Sequence, residues 1–173
     1  LYIASHKEQQ FFDLVKFLTD TGEVTPSQRV AMEQFAGEVC IQTAKIDQAI
    51  QHLNTALTFI DEKQNPAAAM RAHRALAVCW SSKAADVRTD DPELEDSGNK
   101  AEFDKYVDAA TEHNLACANI ERDYLPLNLR GTSAHQYAQY LWRGVGKAEQ
   151  ALDWLKKYLN DTDLTSAQRN LLE

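Results

Sequence analysis

The chain repeats itself. Lys16 to Arg29, KFLTDTGEVTPSQR, aligns with Lys157 to Arg169, KYLNDTDLTSAQR, after one gap at Gly22, and Glu8-Gln9 falls opposite Glu149-Gln150 in the same register. A recurring unit constrains architecture more than any single motif. Each unit has an apolar face that it cannot bury alone, so neighbouring units stack to complete one interior.

The recurring pieces read as helix starts. Thr25-Pro26-Ser27-Gln28 places Thr at the N-cap, Pro at the first helical position and Gln three residues after the cap. Thr165-Ser166-Ala167-Gln168 repeats the start without proline, Ser133-Ala134-His135-Gln136 makes another, and Asn65-Pro66 supplies a fourth. Between these lie second helices with a shared pattern, Ala44 to Leu57 and Gly146 to Leu159. In them Ala49 and Ala151 take positions of close contact, and Ile50, Leu53, Leu57, Leu152, Leu155 and Leu159 follow at helical spacing.

The pattern predicts helices at about 5–19, 26–43, 46–62, 66–86, 100–121, 133–144 and 147–160, with a first turn of another from 166. No stretch alternates apolar and polar residues in the manner of a strand. Paired as hairpins these give units at about 25–64, 65–122 and 132–160, a partial unit at 1–24 and the start of another at 165–173. A polar, acidic insertion covers about 86–100. The expected fold is all-α, a right-handed solenoid of about three stacked antiparallel hairpins in one domain.

These residues resemble the tetratricopeptide repeat, which pairs two helices with small residues where they cross and Gly in the turn between them. Ala36-Gly37 supplies the small pair on one first helix, with Ala49, Leu53 and Ala56 following on the second. Gly146, Ala151 and Leu155 repeat the pattern, and Leu76-Ala77, Trp80, Ala109 and Ala116 carry a middle unit. Cys40 stands where the family usually places an aromatic, Asp61 where proline commonly closes the unit, and Gln139 where a small residue is usual.

The resemblance implies a protein-interaction scaffold or adaptor that holds a peptide or protein segment against its first helices, and no enzymatic activity. By register, the residues lining that concave groove are Gln34, Glu38, Arg71, Arg74, Ser81, Gln136, Tyr140 and Arg143. Arg71 and Arg74 share one helical face in an acidic chain, so an acidic partner segment is expected. Some family members hold a terminal carboxylate with a Lys and Asn pair. Gln34 and Glu38 stand there in this chain, and Glu38 would repel such a ligand. The alternative implied function is a regulatory or sensor domain that responds to a peptide or small ligand and controls an attached effector. Self-association through open solenoid ends is a further expectation.

Composition narrows the rest. The 173 residues carry a formal net charge of −8, which disfavours a phosphate backbone as partner. Six Gly and four Pro leave the chain free for helices. Cys40, Cys79 and Cys117 are odd in number and widely spaced, so they are read as buried apolar side chains in a reducing, cytoplasmic setting. No apolar run reaches the length of a membrane span.

Chemical motifs are sparse. There is no glycine-rich phosphate loop, GxSxG or HExxH. His113 and Cys117, four apart, offer half of a metal site, but no second pair accompanies them, so a core role and no cofactor or metal are expected. Asp90, Asp91, Glu93, Glu95 and Asp96 lack the order of a calcium loop and are read as a solvated loop. Trp80, Trp142 and Trp154 are expected in the core, and the connector DYLPLNLRG is expected to pack over a hairpin edge.

Overall fold

The computed structural model describes residues 2–22, 24–87, 99–161, 164–166 and 169–170. It is all-helical, with no strand among the described residues. The helices are α1 (Tyr2–Thr21), α2 (Pro26–Gln42), α3 (Ile46–Thr58), α4 (Pro66–Val87), α5 (Asn99–Tyr124), α6 (Thr132–Gln139) and α7 (Ala148–Asp161). A short 3-10 turn covers Leu127–Leu129, and α6 runs on into a π-helical turn at Tyr140–Gly144. The acidic cluster from Asp90 to Asp96 lies outside the described residues. The chain divides into two compact units, residues 1–60 and 61–173.

In the first unit, α2 starts as its sequence dictates. Gln28 N–H donates to Thr25 Oγ1 at 3.3 Å, and Thr25 N–H donates to Gln28 Oε1 at 2.8 Å, closing a capping box. The helix ends in a Schellman turn. Lys45 N–H reaches Cys40 O at 2.8 Å and Ala44 N–H reaches Ile41 O at 3.1 Å, with Ala44 in the left-handed region at φ 58°. That turn reverses the chain, and α3 returns antiparallel: Cys40 Sγ donates to Gln48 Oε1, Gly37 meets Leu53 and Ala49, and Glu33 meets His52.

Small residues make this pairing possible. A Cβ on Gly37 would sit 2.7 Å from Leu53 Cγ, inside van der Waals contact. Ala36, Ala49 and Ala56 are fully buried beside it, and Leu53 is 1% exposed. Burying a leucine of this kind contributes about 1.5–3 kcal/mol. Phe11 and Phe12 bring α1 onto this pair, edge-on to Phe35 at 5.0 Å and stacked on the His52 ring at 5.6 Å.

In the second unit, Asp61 begins a turn in which its carboxylate accepts the N–H groups of Lys63 and Gln64. Asn65 then caps α4 by accepting the Ala68 N–H at 3.3 Å, with Pro66 at the first helical position. Such a cap contributes about 1 kcal/mol. Helices α4 and α5 run antiparallel. Cys117 Sγ donates to Met70 O, His113 meets His73, and Tyr106 stacks on Trp80. Helices α6 and α7 do the same, with Ala134 against Tyr158, Tyr137 edge-on to Trp154 at 4.9 Å, and Ala138 and Leu141 clustered with Ala151. Gly146, at φ 74°, makes the turn between them.

Several sequence expectations need correction. The start of α6 is not capped by Ser133, which lies inside the helix and is buried. Glu121 of α5, 1% exposed, supplies the cap: its carboxylate accepts Gly131 N–H at 2.6 Å and Ser133 N–H at 2.7 Å. A carboxylate at a helix N-terminus satisfies two orphan donors and meets the positive end of the dipole. Trp142 is 55% exposed, not core, because the π turn rotates it outward, and the Arg143 guanidinium lies 5.1 Å over its ring. The connector leaves Leu127 and Leu129 at 44% and 54% exposure, and Leu152 is 53% exposed while Tyr158 takes the interior position on α7. Helix α3 stops at Thr58, four residues before the expected end.

Candidate partner-binding surface

The eight residues expected to line a groove separate by unit. Gln34, at 4% exposure, and the half-buried Glu38 lie on α2 in the first unit. The other six lie in the second. Arg71 and Arg74 are exposed on α4, and Ser81 is half-buried. On α6 and its π turn, Gln136 and Arg143 are exposed and Tyr140 is half-buried.

Arg74 Nη2 of α4 donates to Ser133 Oγ of α6 at 3.4 Å. The Tyr140 hydroxyl donates to Val107 O of α5 at 3.5 Å. Burial raises the Tyr140 phenol above its ordinary range, so it remains protonated at neutral pH. Helix α5 runs antiparallel to α4, and, with Glu121 on Gly131 and Ser133 and Val107 on Tyr140, antiparallel to α6 as well, so α4 and α6 run parallel.

One residue of this face escaped the sequence reading. Val78 is 49% exposed. It stands four residues after Arg74 and seven after Arg71, so helical spacing alone assigns it to the arginine face. Trp142 beside Arg143 also escaped, and nothing in its local sequence marks the π turn that exposes it. The exposed face of α4 therefore offers two guanidinium groups and a valine, and the π turn offers an indole covered by a third guanidinium. Such surfaces recognise carboxylates through paired N–H donors while burying an apolar neighbour.

Comparison with protein families, curated proteins and solved structures finds no match to this chain.

Elsewhere in the second unit, His73 Nδ1 and His113 Nδ1 lie 2.9 Å apart, and His73 Nε2 lies 3.5 Å from Glu62 Oε1. One Nδ1 must donate and the other accept. A proton on His73 Nε2 facing Glu62 makes His73 Nδ1 the acceptor and His113 Nδ1 the donor. Burial and the facing His73 push the His113 imidazole down to about 4, and burial lowers His73 as well, so both rings are neutral at pH 7. Cys117, one turn along from His113, is buried, and its thiol is pushed up to about 11 by that burial. It is held as a protonated donor rather than a reactive thiolate. Among the described residues no three His, Cys, Asp or Glu side chains are grouped to hold a metal ion. Nor is any helix among them long and apolar enough to cross a membrane.

Proposed function

We propose that this chain is a tetratricopeptide-like scaffold that holds an acidic segment of a partner protein against the exposed faces of its first helices. The observation that carries this reading is the exposed face of α4, where Arg71, Arg74 and Val78 stand at helical spacing, with Arg143 exposed on the π turn after α6. In a stack of hairpins, the first helix of each hairpin lies parallel to the first helix of the next, as α4 and α6 do.

The binding chemistry follows from what the first helices expose. Arg71 and Arg74 provide donors for carboxylates, Val78 provides apolar contact, and Arg143 adds a further cation on the same succession of helices. An extended or helical acidic segment complements that set, in a chain whose own net charge of −8 otherwise repels acidic partners. Loss of both arginines therefore removes the local exception to the global repulsion.

The test is a pair of charge reversals, Arg71→Glu with Arg74→Glu. A partner captured by the wild-type chain is expected to lose at least tenfold in affinity for the folded double variant, with the loss shrinking at high salt. Unchanged affinity in a variant that keeps its helical circular dichroism overturns the assignment of this face.

A further inference from the structure

By sequence, His113 pairs only with Cys117, one turn along α5, and the two make half of a metal site. The structure supplies a different partner. His73, 40 residues upstream on α4, turns its Nδ1 to the Nδ1 of His113 at 2.9 Å across the antiparallel α4–α5 contact. Cys117 is engaged elsewhere, its thiol donating to Met70 O.

The geometry of the histidine pair suits a metal ion in three respects. Metal–imidazole bonds are about 2.0–2.1 Å long, so two nitrogens at adjacent corners of a square or octahedron lie about 2.9 Å apart. The two Nδ1 atoms already stand at that separation. His73 also points its other nitrogen, Nε2, at Glu62 Oε1, 3.5 Å away. A carboxylate placed behind a ligating histidine fixes the ring and makes its metal-facing nitrogen more basic. Finally, the two helices are pinned on either side of the pair. The Cys117 thiol meets Met70 O about one turn away, and Tyr106 stacks on Trp80 at 5.6 Å two turns away in the other direction. Ligands on helices held in this way are organised before an ion arrives. The His73 side chain keeps 12% of its surface open and His113 is half-buried, which leaves an ion a route in.

We propose that His73 and His113 form a two-imidazole site for a divalent first-row transition ion, copper(II) or nickel(II), that clamps α4 to α5. Both ions favour imidazole and right-angle coordination, whereas the tetrahedral angle of zinc asks for nitrogens about 3.3 Å apart. Among the described residues no third His, Cys, Asp or Glu is grouped with the pair, so water completes the coordination. At neutral pH the pair shares one proton, carried on His113 Nδ1. The ion takes its place between the two Nδ1 atoms, and that proton moves to His113 Nε2, so none is released. His73 keeps its own Nε2 proton towards Glu62. The site is independent of the arginine face and of the scaffold reading.

An ion that binds only the folded arrangement of the two helices stabilises it by mass action. The test uses the full chain, with nickel(II) chloride as the probe of stability and copper(II) chloride as the probe of coordination. Nickel is expected to raise the thermal midpoint of the wild-type chain by about 3 °C or more. It should leave His73→Gln and His113→Gln unmoved, while His135→Gln, outside the pair, keeps the wild-type response. Glutamine retains a donor and an acceptor at each place, and circular dichroism verifies that both variants fold. At one equivalent of copper, pulsed electron paramagnetic resonance should show two coupled imidazole nitrogens. No rise in midpoint, or a single coupled nitrogen, overturns the proposal. An equal nickel response in the two glutamine variants also overturns it, because the ion would then be held by other histidines.

Discussion

Glu121 Oε2 accepts the backbone N–H of Ser133 at 2.7 Å, so the cap of α6 is contributed by α5. The other carboxylate oxygen accepts Gly131 N–H at 2.6 Å and the Tyr158 hydroxyl at 3.4 Å. One buried side chain thus ties three helices of the second unit together. Burial and the neighbouring carboxylate push the Tyr158 phenol up to about 12, which keeps it a donor. Glu121→Gln exchanges one acceptor oxygen for an NH2 facing a backbone donor. We expect a loss of about 2–4 kcal/mol, read as a lower urea midpoint with an unchanged slope. A loss under about 0.5 kcal/mol would mean that water or another group caps α6.

Gly37 is the point of closest helix approach in the first unit. The Leu53 side chain it faces is 1% exposed and has little room to withdraw. Gly37→Ala is expected to cost about 1–3 kcal/mol despite alanine's better helix propensity. Adding Leu53→Ala should recover part of that cost, giving a coupling energy in a double-mutant cycle. Strict additivity would show that the two helices pack elsewhere.

Ala44 occupies a left-handed backbone conformation at the end of α2, where glycine is unstrained. The strain of about 1–2 kcal/mol is relieved in Ala44→Gly, less the entropy that glycine adds to the unfolded chain. The expected net effect is a gain of about 0.5–1 kcal/mol in thermal or urea unfolding. A destabilised variant would contradict the turn geometry.

The His73–His113 pair predicts acid sensitivity. Both imidazoles are shifted down in the folded state, His113 to about 4, against an unfolded value of 6.5. The unfolded chain therefore binds more protons in this window. Stability is complete above about pH 6.5, declines as pH falls towards about 4, and below that the contribution is gone. Replacing both rings, His73→Leu with His113→Leu, should flatten the dependence of the urea midpoint between pH 7 and pH 5. A double variant as pH-sensitive as wild type would place the titrating groups elsewhere.

How legible this molecule is from its sequence depends on how local the signal is. Thr25-Pro26-Ser27-Gln28 and Asn65-Pro66 announce their helix starts because cap chemistry is contained within four residues, and the structure forms both. Ala36-Gly37 and Gly146 likewise mark a crossing and a turn through their own lack of bulk. Ser133 misleads because its cap arrives from Glu121, twelve residues upstream on another helix, which no local pattern records. Trp142 and Leu152 misleads in a related way: helical spacing selects a face, but the π turn at Tyr140–Gly144 rotates one residue outward, and Tyr158 takes the interior place on α7. Of the expected partner-contact residues, Arg71, Arg74, Gln136 and Arg143 are exposed, while Gln34 is buried, because register alone does not say how deeply a groove position sits.

In the proposed stack, α4 and α6 run parallel as successive first helices. Spin labels on exposed positions test it directly, in one variant with Val78→Cys and Gln136→Cys, and in a second with Ala85→Cys and Arg143→Cys. Adjacent parallel helices, with axes about 10 Å apart, predict two short and similar distances by double electron–electron resonance. One short and one long distance would describe crossed or antiparallel helices, and would contradict the stacked-hairpin scaffold.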